Sequence, residues 1–226
     1  MFQTLKKNRW FLIPYLILFS TGLIILSLWD KKTVHLWSCT HHSPFFDHLF
    51  SWGTHIGDGF FILTVAFVLL FYRMSYSLFV LSTYVLSALT AQIIKHIVKA
   101  PRPLVVFYDE QKLHIVEGIK LLTTNSFPSG HSTSAFALFL TLSIITKYNK
   151  LRVFFLICAA FVAYSRVYLS EHFLMDILIG SAIGVGTVLI YLIFHLRIKD
   201  SWLSKPIYKR QIGQKKIKTN NYEPTH

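Results

Sequence analysis

The sequence predicts an all-α fold, a bundle of six transmembrane helices with both termini in the cytoplasm. Three observations predict it. Hydrophobic residues make up 53% of the 226-residue chain and charged residues only 15%, against roughly 25% charged in soluble domains. Apolar windows of the ~20 residues needed to cross a bilayer core recur six times. In the resulting topology the larger share of the 23 Lys and Arg falls on the side of the termini, as the positive-inside rule requires of a cytoplasmic face.

The first span is "WFLIPYLILFSTGLIILSLW", 10–29. Lys6, Lys7 and Arg9 precede it, as in a secretory signal. Its apolar run is too long for one, and no small-residue cleavage site follows before Trp29 and Asp30, so it reads as a retained span. The second span covers about 52–72, around "FFILTVAFVLLFY", and the third 75–98. The fourth opens at "STSAFALFLTLSIIT" (132–146), the fifth covers 152–169, and the sixth 173–196. One integral-membrane domain over 1–198 results, followed by a basic cytoplasmic tail over 199–226.

The net charge of +13 invites a nucleic-acid reading. The tail "KRQIGQKKIKTNNYEPTH" carries much of that charge and no recognisable reading module, so it is a topology and anionic-lipid signal, with no nucleic-acid partner. Cys39 and Cys158, one in an outward loop and one within a span, form no disulfide framework.

Ionisable side chains at membrane depth are expensive and point to function. Here they gather in three blocks, all on the face opposite the termini. "KHIVKAPRP" holds Lys95 and Arg102. These serve either as basic residues snorkelling to lipid headgroups or as an anion clamp, since a guanidinium fork matches phosphate oxygens. "PSGH" (128–131) combines a Pro128 turn with Gly130, and the helix that follows offers free N–H groups to an anion. Ser129 adds a hydroxyl, and His131 stands as a bystander or as a proton donor. In "SRVYLSEHFLMD" (165–176), His172 and Asp176 are four apart, predicted on one helix face. They form either a helix-start ion pair or an imidazole held by a carboxylate, with its second nitrogen free as nucleophile or base. Glu171 reads as a solvated loop residue.

Together the blocks read Lys-x6-Arg-Pro, Pro-Ser-Gly-His and Ser-Arg-x5-His-x3-Asp. This pattern resembles the type 2 phosphatidic acid phosphatase (PAP2) superfamily, which includes the vanadium haloperoxidases, and the resemblance covers residues 95–176. It implies a cofactor-free, metal-independent phosphatase working through a phosphohistidine. His172 would be the nucleophile, Asp176 its orienting partner and His131 the general acid. Lys95, Arg102, Arg166, Ser129 and the Gly130 N–H would hold the phosphoryl oxygens. Asp176 raises and the three cations lower the pKa of His172, so the sequence leaves the net direction open. The implied partners are the membrane and a lipid phosphate: undecaprenyl diphosphate, phosphatidic acid, phosphatidylglycerophosphate or a lipid A phosphate. The implied location is the inner (cytoplasmic) membrane, with the site on its outer face.

Rival readings are a vanadate-dependent haloperoxidase, a non-enzymatic transporter, and a zinc site. The zinc site would draw on the loop "HLWSCTHHSPFFDH", with His35, Cys39, His41, His42, Asp47 and His48. Those spacings match no closed structural-zinc pattern, and the plain alternative is a solvated loop. Trp52 and Tyr168 are predicted in the interfacial aromatic belt. Loop 99–127 is long enough to cover the site.

Overall fold

The computed structural model describes residues 2–108, 113–119 and 122–195; the tail predicted over 199–226 lies outside them. Helix α1 (Phe2–Lys7) leads into α2 (Arg9–Leu28), α3 (Lys31–Cys39) and α4 (Pro44–Gly53). A 3-10 turn, Thr54–Gly57, joins α4 to α5 (Gly59–Tyr72), followed by α6 (Met74–Val98) and the short α7 (Pro103–Val106). Helices α8 (Gly130–Ile145), α9 (Asn149–Tyr168) and α10 (Leu174–His195) complete the bundle, and no strand occurs among the described residues.

Helices α2, α6, α9 and α10 are long and apolar enough to cross a membrane. The stretch from α4 to α5 makes a fifth span if its two halves, bent by 55°, cross as one. Helix α8 is apolar but has only 16 residues, about 24 Å at 1.5 Å per residue, short of the ~30 Å hydrocarbon core. Helix α8 opens at Gly130, ahead of the predicted residue 132, because the Ser129 hydroxyl accepts from the Ser132 N–H. That side-chain cap satisfies a donor which the first turn leaves free.

The His-rich segment is helical where the sequence predicts a loop. Asp30 caps α3, accepting from the N–H groups of Lys32 and Thr33 at 2.8 and 3.2 Å. Ser43 caps α4, and Pro44 occupies its first turn, where the missing N–H removes no bond. Asp30 and Ser43 as caps, and Pro44 at the start of α4, mark these helices in the sequence itself, yet both are too short for a reading based on long apolar runs.

The core centres on α8, which is buried along almost its whole length between α10, α9 and α6. Burial on all sides removes the need for an amphipathic stripe. The outer surfaces of α2 and α5 expose Leu16, Ile17, Ile24, Phe60, Phe67 and Phe71, a lipid-facing composition. Helices α8 and α10 approach through small residues. A Cβ on Gly184 would lie 2.4 Å from the Thr133 carbonyl oxygen, and one on Gly180 2.6 Å from that of Ser129. The Gly-x3-Gly spacing lets two membrane helices touch backbone to backbone. It also brings the start of α8 against the start of α10, where the Ser129 N–H donates to the Asp176 carbonyl at 2.9 Å.

Candidate active site

The tight α8–α10 crossing decides which side chains meet. His172 and Asp176 do not share a helix face as predicted, because α10 begins only at Leu174. Asp176 lies in its first turn and reaches back to accept from the Phe173 N–H at 2.9 Å, a capping contact that fixes the carboxylate. The same Oδ2 lies 3.5 Å from His172 Nδ1 and accepts from the Ser126 hydroxyl at 2.5 Å. His172 is 1% exposed. Burial lowers its pKa to about 3, against the opposing hydrogen bond to Asp176, with Arg102 adding to the drop. This resolves the direction that the sequence left open: desolvation, which pairwise charges do not reveal, outweighs the carboxylate.

Arg102 and Arg166 converge on Glu171. An Arg102 guanidinium nitrogen contacts the Glu171 carboxylate directly and also donates to the Glu171 carbonyl at 3.2 Å. Arg166 lies 3.5 Å from the same carboxylate oxygen and donates to the Thr54 hydroxyl at 2.7 Å. Glu171 is therefore a buried counter-ion, 4% exposed, and not the solvated residue predicted. The turn after α9 explains this: the Glu171 and His172 N–H groups both donate to the Arg166 carbonyl, which folds Glu171 inward. The Arg166 Nε has no partner among the described residues. Lys95 completes the cationic cluster, its Nζ 3.7 Å from the position a Cβ would take on Gly130.

The described part of loop 99–127 is tied to the site. The Arg102 N–H donates to the Thr123 carbonyl and its Nε to that of Thr124, both at 3.0 Å, and the Ser126 N–H donates to Ala100. These bonds tie Arg102 and Ser126 to the segments that flank them in the loop, with Arg102 on Glu171 and Ser126 on Asp176. All eight predicted residues, Lys95, Arg102, Ser129, Gly130, His131, Arg166, His172 and Asp176, thus belong to one constellation at one end of the bundle.

Two further members fall outside the motif blocks. Ser126 is fully buried beside Asp176. Asp58 lies 2.6 Å from His131 Nε2 and, through its other oxygen, 2.6 Å from His55 Nδ1. Asp58 reaches His131 because Gly57 lets the 3-10 turn lie against α8 and α9. A Cβ there would stand 2.6 Å from Val162 and 3.3 Å from the His131 side chain. The string "GDG" is the only trace of this contact in the sequence.

The remaining polar candidates take other roles. His35 is buried between the rings of Phe107 and Phe173, with neither ring nitrogen bonded among the described residues. Cys39 faces Ser170, and His42 stacks on His114 at 4.0 Å. Among the described residues no three His, Cys, Asp or Glu side chains converge to hold a metal ion. Trp52 is exposed, whereas Tyr168 is buried and donates to Asp47 at 2.6 Å.

Two carboxylate–imidazole pairs thus stand around a cluster of three cations at one end of a bundle of apolar helices. The chain belongs to the PAP2 superfamily, whose profile matches residues 75–200. The lipid A 1-phosphatase of Rhizobium etli is 30% identical over 140 residues, 58% of this chain and 57% of the relative. That of Rhizobium johnstonii is 30% identical over 135 residues, 57% of this chain and 53% of the relative. The matches thus span just over half the length of these curated relatives. Among solved structures, LpxE from Aquifex aeolicus superposes with a TM-score of 0.63 at 22% identity, covering 72% of this chain and 94% of that one. A PAP2-type phosphatidylglycerolphosphate phosphatase from Bacillus subtilis gives 0.62 at 20% identity, covering 84% and 98%. Both share the fold.

Proposed function

We propose that the protein is a multi-pass phosphatase of the inner (cytoplasmic) membrane that removes a phosphate from a lipid through a phosphohistidine on His172. The observation that carries this reading is the buried His172, held at Nδ1 by Asp176, beside guanidiniums that converge from two separate segments. Six crossings place both termini in the cytoplasm and the site at the outer face. In that arrangement the bent α4–α5 pair is the second crossing, and α8, shielded from lipid by its neighbours, is the fourth. Residues 1–198 form the one membrane domain.

With Nδ1–H donating to Asp176, Nε2 of His172 keeps its lone pair and attacks phosphorus. Lys95, Arg102, Arg166, the Ser129 hydroxyl and the Gly130 N–H hold the three equatorial oxygens as charge spreads over them. The bond from phosphorus to the lipid oxygen breaks as His131 delivers its proton to that oxygen. Neutral His131 then takes a proton from water as that water attacks phosphorus, the P–N bond breaks, and inorganic phosphate leaves. Asp58 orients His131, and Glu171 holds Arg102 and Arg166 together until the substrate arrives. No step requires a metal.

The test is phosphate release by the purified protein from phosphatidic acid, phosphatidylglycerophosphate, undecaprenyl diphosphate and lipid A, with EDTA present. Release by the unaltered protein and none by His172→Ala is the expected result. Undiminished release by that variant would overturn the mechanism, and loss of release in EDTA would restore a metal.

A further inference from the structure

The 3-10 turn Thr54–Gly57 lies outside the three motif blocks, yet it and the residue after it touch two members of the site. Two glycines seat this turn on α9, just ahead of Arg166. A Cβ on Gly53 would collide with the Phe161 ring, and one on Gly57 would stand 2.6 Å from Val162. Asp58, which follows the turn, lies 2.6 Å from His131. Thr54, which opens it, is 4% exposed, and its hydroxyl accepts from Arg166 Nη1 at 2.7 Å.

The rest of the guanidinium shows what that bond does. Arg166 Nη2 lies 3.5 Å from the Glu171 carboxylate, longer than a normal hydrogen bond. Nε is buried and has no partner among the described residues. Nε and Nη2 share one edge of the planar fork, and such an edge grips two oxygens of a phosphate at once. Nη1 lies outside that edge. A threonine placed only to satisfy a buried cation does not account for an orphaned donor on the same group, since an unpaired buried donor costs free energy. The fork is instead held from behind, with its two-donor edge turned away from Thr54.

We propose that Thr54 is a positioning residue: by holding Arg166 Nη1, its hydroxyl turns the Nε–Nη2 edge towards the phosphoryl group that is transferred. Glu171 stands by that edge until an oxyanion displaces it. Without the hydroxyl, Nη1 loses its acceptor, and the guanidinium rotates towards the Glu171 carboxylate and draws its Nε off the phosphate. Arg166 reads the phosphoryl group, so Thr54 acts alike on every lipid that carries one. This inference rests on the phosphatase reading of the site.

The experiment measures kcat/KM on p-nitrophenyl phosphate and on the lipid phosphate that the unaltered protein hydrolyses fastest. It also measures competitive inhibition by inorganic phosphate. The unaltered protein is compared with Thr54→Val and Thr54→Ala, which lack the hydroxyl, and with Thr54→Ser, which keeps it. A misplacement of about 1 Å costs on the order of 10²-fold in rate. Both hydroxyl-free variants are therefore expected to lose on the order of tenfold to a hundredfold in kcat/KM on both substrates. Inhibition by inorganic phosphate should weaken roughly tenfold with them, and Thr54→Ser should recover most of each loss. Equal losses in Thr54→Ser would mean that the turn has merely loosened, and they overturn the inference. So do unaltered kinetics in either hydroxyl-free variant, or slower turnover with phosphate inhibition unchanged. In each of these cases the phosphatase reading stands. No release from any lipid phosphate by the unaltered protein overturns both.

Discussion

Asp58 Oδ1 lies 2.6 Å from His131 Nε2, joining the turn before α5 to the start of α8. A carboxylate on an imidazole fixes the ring's orientation and favours its protonated form. Asp58→Asn keeps the shape and removes the charge, so kcat on a lipid phosphate should fall by on the order of tenfold to a hundredfold, part of the ~10²–10⁴-fold that general acid catalysis contributes, with KM little changed. The same variant should lose little on p-nitrophenyl phosphate, whose leaving group needs no proton. Equal losses on both substrates would assign Asp58 a purely structural part.

The pH profile follows from His172. Burial brings its pKa from 6.5 to about 3, so the ring stays neutral, as the proposed nucleophile requires, across the range from 7 down to 4. Protonation of His172 therefore should not produce an acid limb in kcat/KM within that range. Stability responds in the opposite sense. As pH falls below 6.5 the unfolded chain takes up a proton at this site while the folded protein does not, so stability falls progressively from 6.5 towards 3. Thermal unfolding in detergent at stepped pH should show this slope, and His172→Gln, which cannot titrate, should flatten it.

That the blocks carrying Lys95, Arg102, His131 and His172 meet was legible because the PAP2 pattern specifies both residue type and spacing. What the sequence hid depends on chain path. Asp58 and Ser126 lie far along the chain from their partners, and only the close approach of Gly57 and the pairing around Ala100 bring them in. Glu171 misled for a related reason: a carboxylate in a polar turn looks solvated until the turn folds back on Arg166. Crossings were legible wherever an apolar run reached full length. The bend between α4 and α5 and the short α8 fell outside that rule; for α8, burial against protein on all sides relieves the need to span lipid.

Glu171 occupies the guanidiniums that would hold phosphate, through direct contact with Arg102 and a 3.5 Å approach to Arg166. Removing one partner from a buried ion pair typically costs about 3–5 kcal/mol because the remaining charge stays buried. Glu171→Ala should therefore lower the unfolding temperature clearly. Added inorganic phosphate should recover part of that loss, since an anion refills the seat. In Glu171→Gln, competitive inhibition by inorganic phosphate should tighten by about tenfold, as one negative charge leaves the pocket. Unchanged inhibition would mean that Glu171 and the substrate phosphate do not share these arginines.

The α8–α10 crossing makes the last test, because it aligns Ser129 with Asp176. A Cβ on Gly184 would meet the Thr133 carbonyl at 2.4 Å and the Ala137 nitrogen at 3.0 Å. Both are backbone atoms, so the helices must part. Overpacking of this kind typically costs about 1–3 kcal/mol, and here it also lengthens the 2.9 Å bond from the Ser129 N–H to the Asp176 carbonyl. Gly184→Ala should thus lower both the unfolding temperature and kcat, the latter because the proposed phosphate seat at the α8 N-terminus shifts relative to His172. Gly186→Ala is the control on the same helix, since a Cβ there meets nothing within 4 Å. It should keep full activity and, by replacing glycine with a better helix former, unfold at the same temperature or slightly higher. Equal behaviour of the two variants would show that the glycine contact does not set the geometry of the site.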